Sequence, residues 1–256
     1  PACLDGQYSE ALPTPEVAID DLTAGYIAGN AKAYYSAVLN RRYPLGNYLI
    51  ENALVEANES IGDCVETFVR DQSTAAAAEE RIGTAVHECG HFLDIARGMV
   101  SRRDVYVFRA DLELSCQRGD TLGRGGKTFA RSRITEDDYS AERPPCDGGR
   151  GEDCDSYADI YLDGNPDDAT FESGDQGFNM LAEEALQYIN SLATAYAFHD
   201  RHEFTVSARD GILTHLWWIE RYLRYARLNY PEAHEFLLGD ACWRETLLNI
   251  WGRAWF

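Results

Sequence analysis

The sequence has almost no lysine and no surplus of positive charge. Lys32 and Lys127 are the only lysines among 256 residues, and 23 basic side chains stand against 43 acidic ones, a formal net charge of −20 at pH 7. A protein that binds a phosphate backbone releases counterions through a basic surface, and an anionic membrane surface attracts basic segments in the same way. We therefore expect neither a nucleic acid nor an anionic membrane surface as a partner.

Long apolar runs and closely paired cysteines are also missing. No run of eighteen apolar residues occurs, so we expect no membrane insertion. None of the seven cysteines forms a C-x-x-C pair, which argues against a cysteine-rich zinc module. Seven cysteines are many for a reduced cytosolic enzyme, and we interpret them as disulfides of a secreted or periplasmic protein, with several inert buried thiols as the alternative.

Two cysteines permit specific statements. Cys146 and Cys154 are near enough in the sequence to close the intervening loop by a disulfide. Cys89 is expected to be a small buried apolar residue, and it is a candidate for the free thiol that an odd number of cysteines requires.

The composition is that of a globular protein with a substantial core. Hydrophobic residues make up 45% of the chain and aromatic residues 12%, which makes disorder an unsuitable description. We expect a helix-dominated α+β fold, similar to the zincin fold discussed below, in a single domain over 1–256. Its three zones are a helical part (1–98), a β and loop part (99–176) and a second helical part (177–256).

Apolar spacing and turn signals predict the elements within these zones. The predicted helices are Glu16–Leu39, Tyr48–Val69, a helix from Ser73 or Thr74 to Gly98, Gly177–Phe198, Ile212–Leu228 and Asp240–Trp255. The predicted strands are Val105–Phe108 and Lys127–Ala130.

The strongest chemical signal is His87-Glu88-Cys89-Gly90-His91, inside the third predicted helix. Histidines four residues apart lie on one helical face, so both imidazoles can reach the same cation. Glu88 lies about 100° around the helix from His87, where its carboxylate can address a water on that cation. The H-E-x-x-H pattern therefore predicts two zinc ligands, His87 and His91, and a general base, Glu88.

At this motif the sequence resembles the zincin metallopeptidases. The phrase His87–Asp94 is most similar to the H-E-x-G-H-x-x-D version of the lethal-factor-type toxin peptidases. The metzincin branch would require glycine at position 94 and histidine or aspartate at 97, where this chain has Asp94 and Arg97. The resemblance implies a zincin-like fold, a zinc cofactor and peptide hydrolysis. Asp94 lies on the zinc face, where it orients an imidazole N–H, caps a neighbouring loop or is a surface charge.

A catalytic zinc ion needs a third protein ligand, and the helix predicted over 177–198 offers two glutamates. At about 100° per residue, Glu184 falls on the flank of the buried stripe, whereas Glu183 points almost directly away from it. We therefore expect Glu184 to be the ligand. The resemblance implies a gluzincin plan, in which a glutamate of a downstream helix completes the site. An alternative register places Asn179 at the ligand position and Glu183 at that of an outer acid, and two solvated glutamates are the non-functional interpretation.

Further ligands and oxyanion donors remain open. Three aspartates of the acidic segment and three downstream histidines are candidates: Asp155, Asp159, Asp163, His199, His202 and His215. Tyr188 occupies the position where many gluzincins have a further acid. It is the tyrosine nearest the expected ligand, so we expect it to stabilise the oxyanion during catalysis.

An acidic segment over 153–175 raises the question of calcium. Asp163-Gly164-Asn165-Pro166-Asp167 alternates oxygen ligands as calcium loops do, but the EF-hand pattern fails at Asp168, where glycine is required. We expect a solvated acidic loop and keep Ca²⁺ as a second candidate cofactor beside Zn²⁺.

These patterns together predict a secreted zinc metallopeptidase that hydrolyses a peptide or protein substrate. Two alternatives stay open: a catalytically silent binding protein on a zincin scaffold, and a zinc hydrolase that acts on an amide or ester of a small molecule.

Overall fold

The computed structural model describes residues 8–137, 146, 154–202 and 208–256. Helices dominate these residues, and two strands form the one sheet among them, so the helix-dominated α+β class is confirmed. The helices are α1 (Asp20–Ala24), α2 (Ala31–Arg42), α3 (Pro44–Glu56), α4 (Cys64–Phe68), α5 (Ala75–Glu80), α6 (Ile82–Ser101), α7 (Ser156–Tyr161), α8 (Phe178–Ala197), α9 (Ala208–Asn229), α10 (Pro231–Gly239) and α11 (Ala241–Trp255). The strands are β1 (Asp104–Arg109) and β2 (Leu112–Cys116).

The first helices are shorter than predicted because glycines interrupt them. The segment predicted as one helix over Glu16–Leu39 forms α1 and α2, which are separated by a turn at Gly29 with a φ of 79°. The helix predicted over Tyr48–Val69 is α3 and α4, separated at Gly62 with a φ of 124°. A positive φ is adopted readily by glycine and stops an α-helix.

The helix that carries the motif is also divided. The predicted start near Ser73 or Thr74 is confirmed: Thr74 caps α5, since its Oγ1 accepts a hydrogen bond from the N–H of Ala77 at 3.1 Å. The helix is interrupted between α5 and α6. Helix α6 then continues through Gly98 to Ser101, so the predicted end at Gly98 was wrong. A Cβ atom at Gly98 would lie 2.8 Å from the carbonyl oxygen of Arg103. Gly98 therefore allows the chain to return against the helix it has just left.

The sheet is a hairpin of β1 and β2, paired antiparallel. The strand predicted over Val105–Phe108 is confirmed within β1, but its partner β2 was not predicted. The strand predicted over Lys127–Ala130 was wrong, because Thr128 makes only an isolated bridge with Thr121.

Two hydrophobic clusters meet where α6 packs against α8. One cluster is built mainly from α2 to α6, and the other from α8, α9, α11 and the hairpin. The predicted helices at Gly177–Phe198, Ile212–Leu228 and Asp240–Trp255 correspond to α8, α9 and α11, while α10 was missed. The contact between α6 and α8 positions the candidate site.

Disulfides link six described cysteines. The bonds are Cys64–Cys89, Cys116–Cys242 and Cys146–Cys154. The expected Cys146–Cys154 pair is present, whereas the suggestion that Cys89 is a free thiol was wrong, because its bond to Cys64 ties α6 to α4. Cys3 lies outside the described residues. Among the described helices, none has the length and apolar character needed to cross a membrane.

Candidate metal centre

Two imidazoles of α6 and a carboxylate of α8 converge on one point. His87 and His91 lie one turn apart, and their Nε2 atoms are separated by 3.0 Å. Oε2 of Glu184 lies 3.6 Å from Nε2 of His87 and 3.4 Å from Nε2 of His91. Among the described residues, this is the one group of histidine, cysteine and acidic side chains arranged to hold a metal ion. The structure thus brings together the three residues predicted as ligands.

The three ligand atoms have the spacing of a tetrahedral site. Zinc binds nitrogen and carboxylate oxygen at about 2.0–2.2 Å, so two ligand atoms of a tetrahedron are about 3.3 Å apart. The separations of 3.0–3.6 Å lie on either side of that value. Oε2 of Glu184 is buried and accepts no hydrogen bond of normal geometry, as expected of an oxygen that faces a cation. Two imidazoles and one carboxylate are also a typical zinc donor set.

Ser191 of α8 sets the orientation of the His87 ring. Its hydroxyl donates to the carbonyl oxygen of Gln187 at 3.1 Å, which leaves Oγ to accept from Nδ1–H of His87 at 3.0 Å. With the proton on Nδ1, the lone pair of Nε2 is directed at the shared point. Ser191 is seven residues after Glu184, so both side chains lie on the same face of α8.

Glu183 orients His91 in the same way. Its carboxylate lies against Nδ1 of His91, on the side of the ring opposite to the ligand nitrogen. The expectation that Glu183 points into solvent was wrong: the residue is 4% exposed. That expectation assumed one buried stripe on α8, whereas neighbouring elements cover this helix on almost all sides between Leu181 and Asn190.

Gln187 connects Glu183 to Asp94. Its Nε2 donates to Oε1 of Glu183 at 3.1 Å and to Oδ2 of Asp94 at 3.3 Å. Asp94 also accepts from the N–H of Val107 at 3.1 Å, which ties α6 to β1. Burial and the charge of Glu183 raise the pKa of Asp94 well above its usual range. Asp94 therefore supports the site through Gln187 and Glu183, and the hydrogen bonds it makes do not include an imidazole.

The electrostatics of this group favour a cation. Although burial opposes a charge on the ring, the carboxylates of Glu183 and Glu184 raise the pKa of His91 well above its usual range. Burial by itself would raise the pKa of Glu184, but the two imidazoles hold it well below its usual range. The carboxylate is thus kept ionised, and a metal ion would compete with protons for the nitrogen atoms of the two histidines.

Glu88 lies beside the histidines and faces open space. Its side chain is half-buried, and this burial is the main reason why the pKa of Glu88 is raised. The carboxylates of Glu184 and Glu183 also raise this pKa, whereas the two imidazoles oppose the rise. A raised pKa is what a proton-transferring carboxylate near neutral pH requires. Glu88 lines a cleft of about 700 Å³, together with His87, Thr84 and Ser191.

Tyr188 lies at the wall of this cleft, as does Tyr161 of α7. The two hydroxyls are 2.8 Å apart, and the Tyr188 ring packs edge-on against His87 with centroids 5.1 Å apart. Burial raises the pKa of both phenols, so both are neutral donors at physiological pH. A Cβ atom at Gly211 would lie 2.2 Å from the Tyr188 ring, so the absence of a side chain at this position of α9 leaves room for the ring. Tyr161 was not singled out from the sequence.

The downstream histidines do not join the metal-binding group. Nδ1–H of His215 donates to the carbonyl oxygen of Gly211 at 2.9 Å, and burial lowers the His215 pKa to about 4, so the ring is neutral under Tyr188. His202 lies 2.8 Å from the carboxylate of Glu79, and His199 lies 2.8 Å from the carbonyl oxygen of Tyr196. None of the three belongs to the metal-binding group.

The acidic segment gives no support for a calcium site among its described residues. Oδ1 of Asp155 caps α7, and Oδ2 of Asp175 accepts from the N–H of Glu172 at 2.9 Å. Asp167 pairs with Arg133, and no three of the described acids converge. Asp153 lies outside the described residues.

No family model, curated protein or solved structure matches this chain. The resemblance to the zincins therefore depends on the motif and on the geometry of the site.

Proposed function

We propose that this chain is a zinc-dependent metallopeptidase. The observation that carries the proposal is the convergence of Nε2 of His87, Nε2 of His91 and Oε2 of Glu184 within 3.6 Å of one another. Glu88 stands beside this group at the wall of an open cleft. A metal ion held for structural reasons alone would need neither a free carboxylate nor an adjoining cleft.

The metal ion, Glu88 and the two tyrosines have different roles in the proposed reaction. A bound zinc ion supplies Lewis acidity and lowers the pKa of water toward about 7. Glu88 accepts the proton of the attacking water and delivers it to the leaving amine. The hydroxyls of Tyr188 and Tyr161 share one hydrogen bond, so one of them donates to the other, and the second donates to the carbonyl oxygen as negative charge develops on it.

The cleft is large enough for a peptide segment. Pockets of about 300–1,000 Å³ hold drug-sized ligands, and the cleft of about 700 Å³ lies within that range. The three disulfides support an extracellular or periplasmic location, where such bonds persist.

The test compares Glu88→Gln with Glu80→Gln, an exposed glutamate that lines the same cleft. Zinc stoichiometry and the rate of cleavage of a broad peptide library are measured for each protein. Both variants should bind zinc as the wild type does. We expect Glu88→Gln to lose about 10²- to 10⁴-fold in rate and Glu80→Gln to keep its rate within about twofold.

Other outcomes would favour the alternatives. Undiminished hydrolysis by zinc-loaded Glu88→Gln would remove Glu88 as the base. Stoichiometric zinc without turnover by the wild type would favour a binding protein. Turnover limited to small esters or amides would favour a small-molecule hydrolase.

A further inference from the structure

A second cavity of about 440 Å³ lies at the C-terminal end of α6. We call it the rear pocket and define it by Ile95 and Met99 of α6, Arg102 directly after that helix, and Met180 and Glu183 of α8. It shares no lining residue with the cleft that contains Glu88. All of its lining residues belong to described parts of the chain.

One part of the rear pocket's lining is apolar and open to solvent. The chain has two methionines, Met99 and Met180, and both line this pocket. Met99 is 58% exposed and Ile95 is 39% exposed. Apolar side chains that border a pocket mark a binding surface, and the flexible thioether of methionine adapts to the shape of an apolar ligand.

The rim of the rear pocket is positive, although the chain as a whole carries −20. Four guanidinium groups line it, those of Arg102, Arg103, Arg118 and Arg124. Arg118 and Arg124 share a single carboxylate, that of Asp120, and Arg103 donates to the carbonyl oxygen of Ser115. Within the described chain, Arg102 has no ion-pair partner.

The acids of this pocket are less accessible than its arginines. Asp94, Asp120 and Glu183 are 3–4% exposed and hydrogen-bonded within the protein, as described above for Asp94 and Glu183. Asp104 accepts from the N–H of Gly119 at 2.5 Å and from Nδ2 of Asn179 at 3.4 Å. Arg102 and Arg103, by contrast, are exposed. A ligand that enters from solvent therefore meets guanidinium groups first.

The backbone at Arg102 is unusual as well. With a φ of 57° it is the only described residue other than glycine in the left-handed region. A residue with a Cβ atom pays a free-energy cost there, and such residues concentrate at functional sites. The conformation ends α6 at the edge of the pocket.

We propose that the rear pocket binds a small amphiphilic carboxylate, a medium-chain alkyl acid. Its chain packs against Met99, Met180 and Ile95, and its carboxylate is bound by the arginines of the rim, foremost Arg102. Guanidinium and carboxylate groups form strong charge-assisted hydrogen bonds, and the volume is in the usual range of small-ligand sites. Glu183, which orients His91, also lines the pocket, so the bound ligand lies next to a residue that supports the metal centre. The proposal stands without the peptidase function.

The test is a calorimetric titration of the full chain with octanoate, 1-octanol and octyltrimethylammonium, all below their micellar concentrations and without peptide substrate. We expect one octanoate per chain and at least about tenfold weaker binding of the alcohol and the ammonium ion. Equal binding of octanoate and octanol, tighter binding of the ammonium ion, or no binding of octanoate would overturn the proposal.

Two variants of adjacent residues locate the site. Met99→Glu places a negative charge in the pocket, whereas Val100→Glu makes the same change at a residue that is 90% exposed and does not line it. Met99→Glu should weaken octanoate binding at least about tenfold, and Val100→Glu should leave it within about twofold. Equal effects of the two variants, both shown by circular dichroism to be folded, would place the ligand elsewhere. Arg102→Asn, which tolerates the left-handed conformation and removes the guanidinium, should also weaken octanoate binding.

Discussion

Gln187 of α8 lies directly against Gly90 of α6, so closely that a Cβ atom at residue 90 would be 1.9 Å from Oε1 of Gln187. The same Oε1 accepts a hydrogen bond from Nδ2 of Asn190 at 2.7 Å, and Nε2 of Gln187 reaches Glu183 and Asp94. The glycine of the H-E-x-G-H phrase thus lets α8 approach α6 closely enough for Glu184 to meet the two histidines.

Gly90→Ala should damage both stability and metal binding. The new methyl group must displace Gln187, and overpacking of this kind costs about 1–3 kcal/mol. We expect a lower free energy of unfolding in urea and a weaker zinc affinity. Gly239→Ala is the control, since a Cβ atom at that helical glycine meets nothing within 4 Å. A Gly90→Ala variant as stable as Gly239→Ala, with unchanged zinc affinity, would contradict the role of this close contact.

Substitution of Ser191 or Glu183, which contact the Nδ1 atoms of His87 and His91, should weaken zinc binding without abolishing it. Ser191→Ala removes the acceptor for Nδ1–H of His87, and Glu183→Gln removes the carboxylate from Nδ1 of His91. Loss of such outer partners typically costs about 10- to 100-fold in metal affinity, and Glu184→Gln, which changes a ligand, should cost more. Competition with a chromogenic chelator measures all three. Wild-type affinity in both Ser191→Ala and Glu183→Gln would show that these contacts do not orient the rings.

Asp104 should make the protein less stable as the pH rises. Burial raises its pKa from 3.8 to about 6, so between these values the folded chain holds a proton that the unfolded chain has released. Stability contributed by this group is therefore present below pH 4 and is lost as the pH rises to about 6. Relative to Asp104→Asn, the wild type should lose about 1–3 kcal/mol between pH 4 and pH 7. Urea unfolding at several pH values measures this difference, and a difference that does not change with pH would refute the prediction.

The disulfide inside the motif should matter more than the one in the loop region. Cys64–Cys89 is fully buried and spans 25 residues, whereas Cys146–Cys154 spans 8. Loop-closure entropy alone predicts losses of about 3.5 and about 2.5 kcal/mol when each pair is replaced by alanine. Because Cys89 lies between Glu88 and Gly90, only the first double variant should also bind zinc less tightly. Equal zinc affinities in the two double variants would show that the Cys64–Cys89 bond does not position the motif.

Spacing within one helix was enough to predict the residues that share its face. His87, Glu88 and His91 follow from the period of α6, and Glu184 follows from the flank of the apolar stripe on α8. Glu183 was given the place of an outer acid only in the alternative register, and Gln187 and Ser191 were assigned no role, because their contacts depend on where α8 crosses α6. Gln187 and Ser191 follow Glu184 by three and seven residues. This spacing, which places them on the same face of α8 as Glu184, was the sequence signal that could have identified them.

Breaks in regular structure were harder to predict than its existence. The predicted helices are interrupted at Gly29 and Gly62, where the backbone has a positive φ. A glycine permits a positive φ, but its presence in a sequence does not show that the residue adopts one. The partner of β1 was missed because Leu112–Cys116 is short, and its pairing becomes visible only with the register of the hairpin.

The central claim is that His87, His91 and Glu184 bind one zinc ion. X-ray diffraction of zinc-loaded crystals, recorded on both sides of the zinc absorption edge, tests it most directly. We expect one strong anomalous peak per chain, at about 2.0–2.2 Å from Nε2 of His87, Nε2 of His91 and an oxygen of Glu184. A chain without such a peak, or with its only peak bound to other residues, would contradict it.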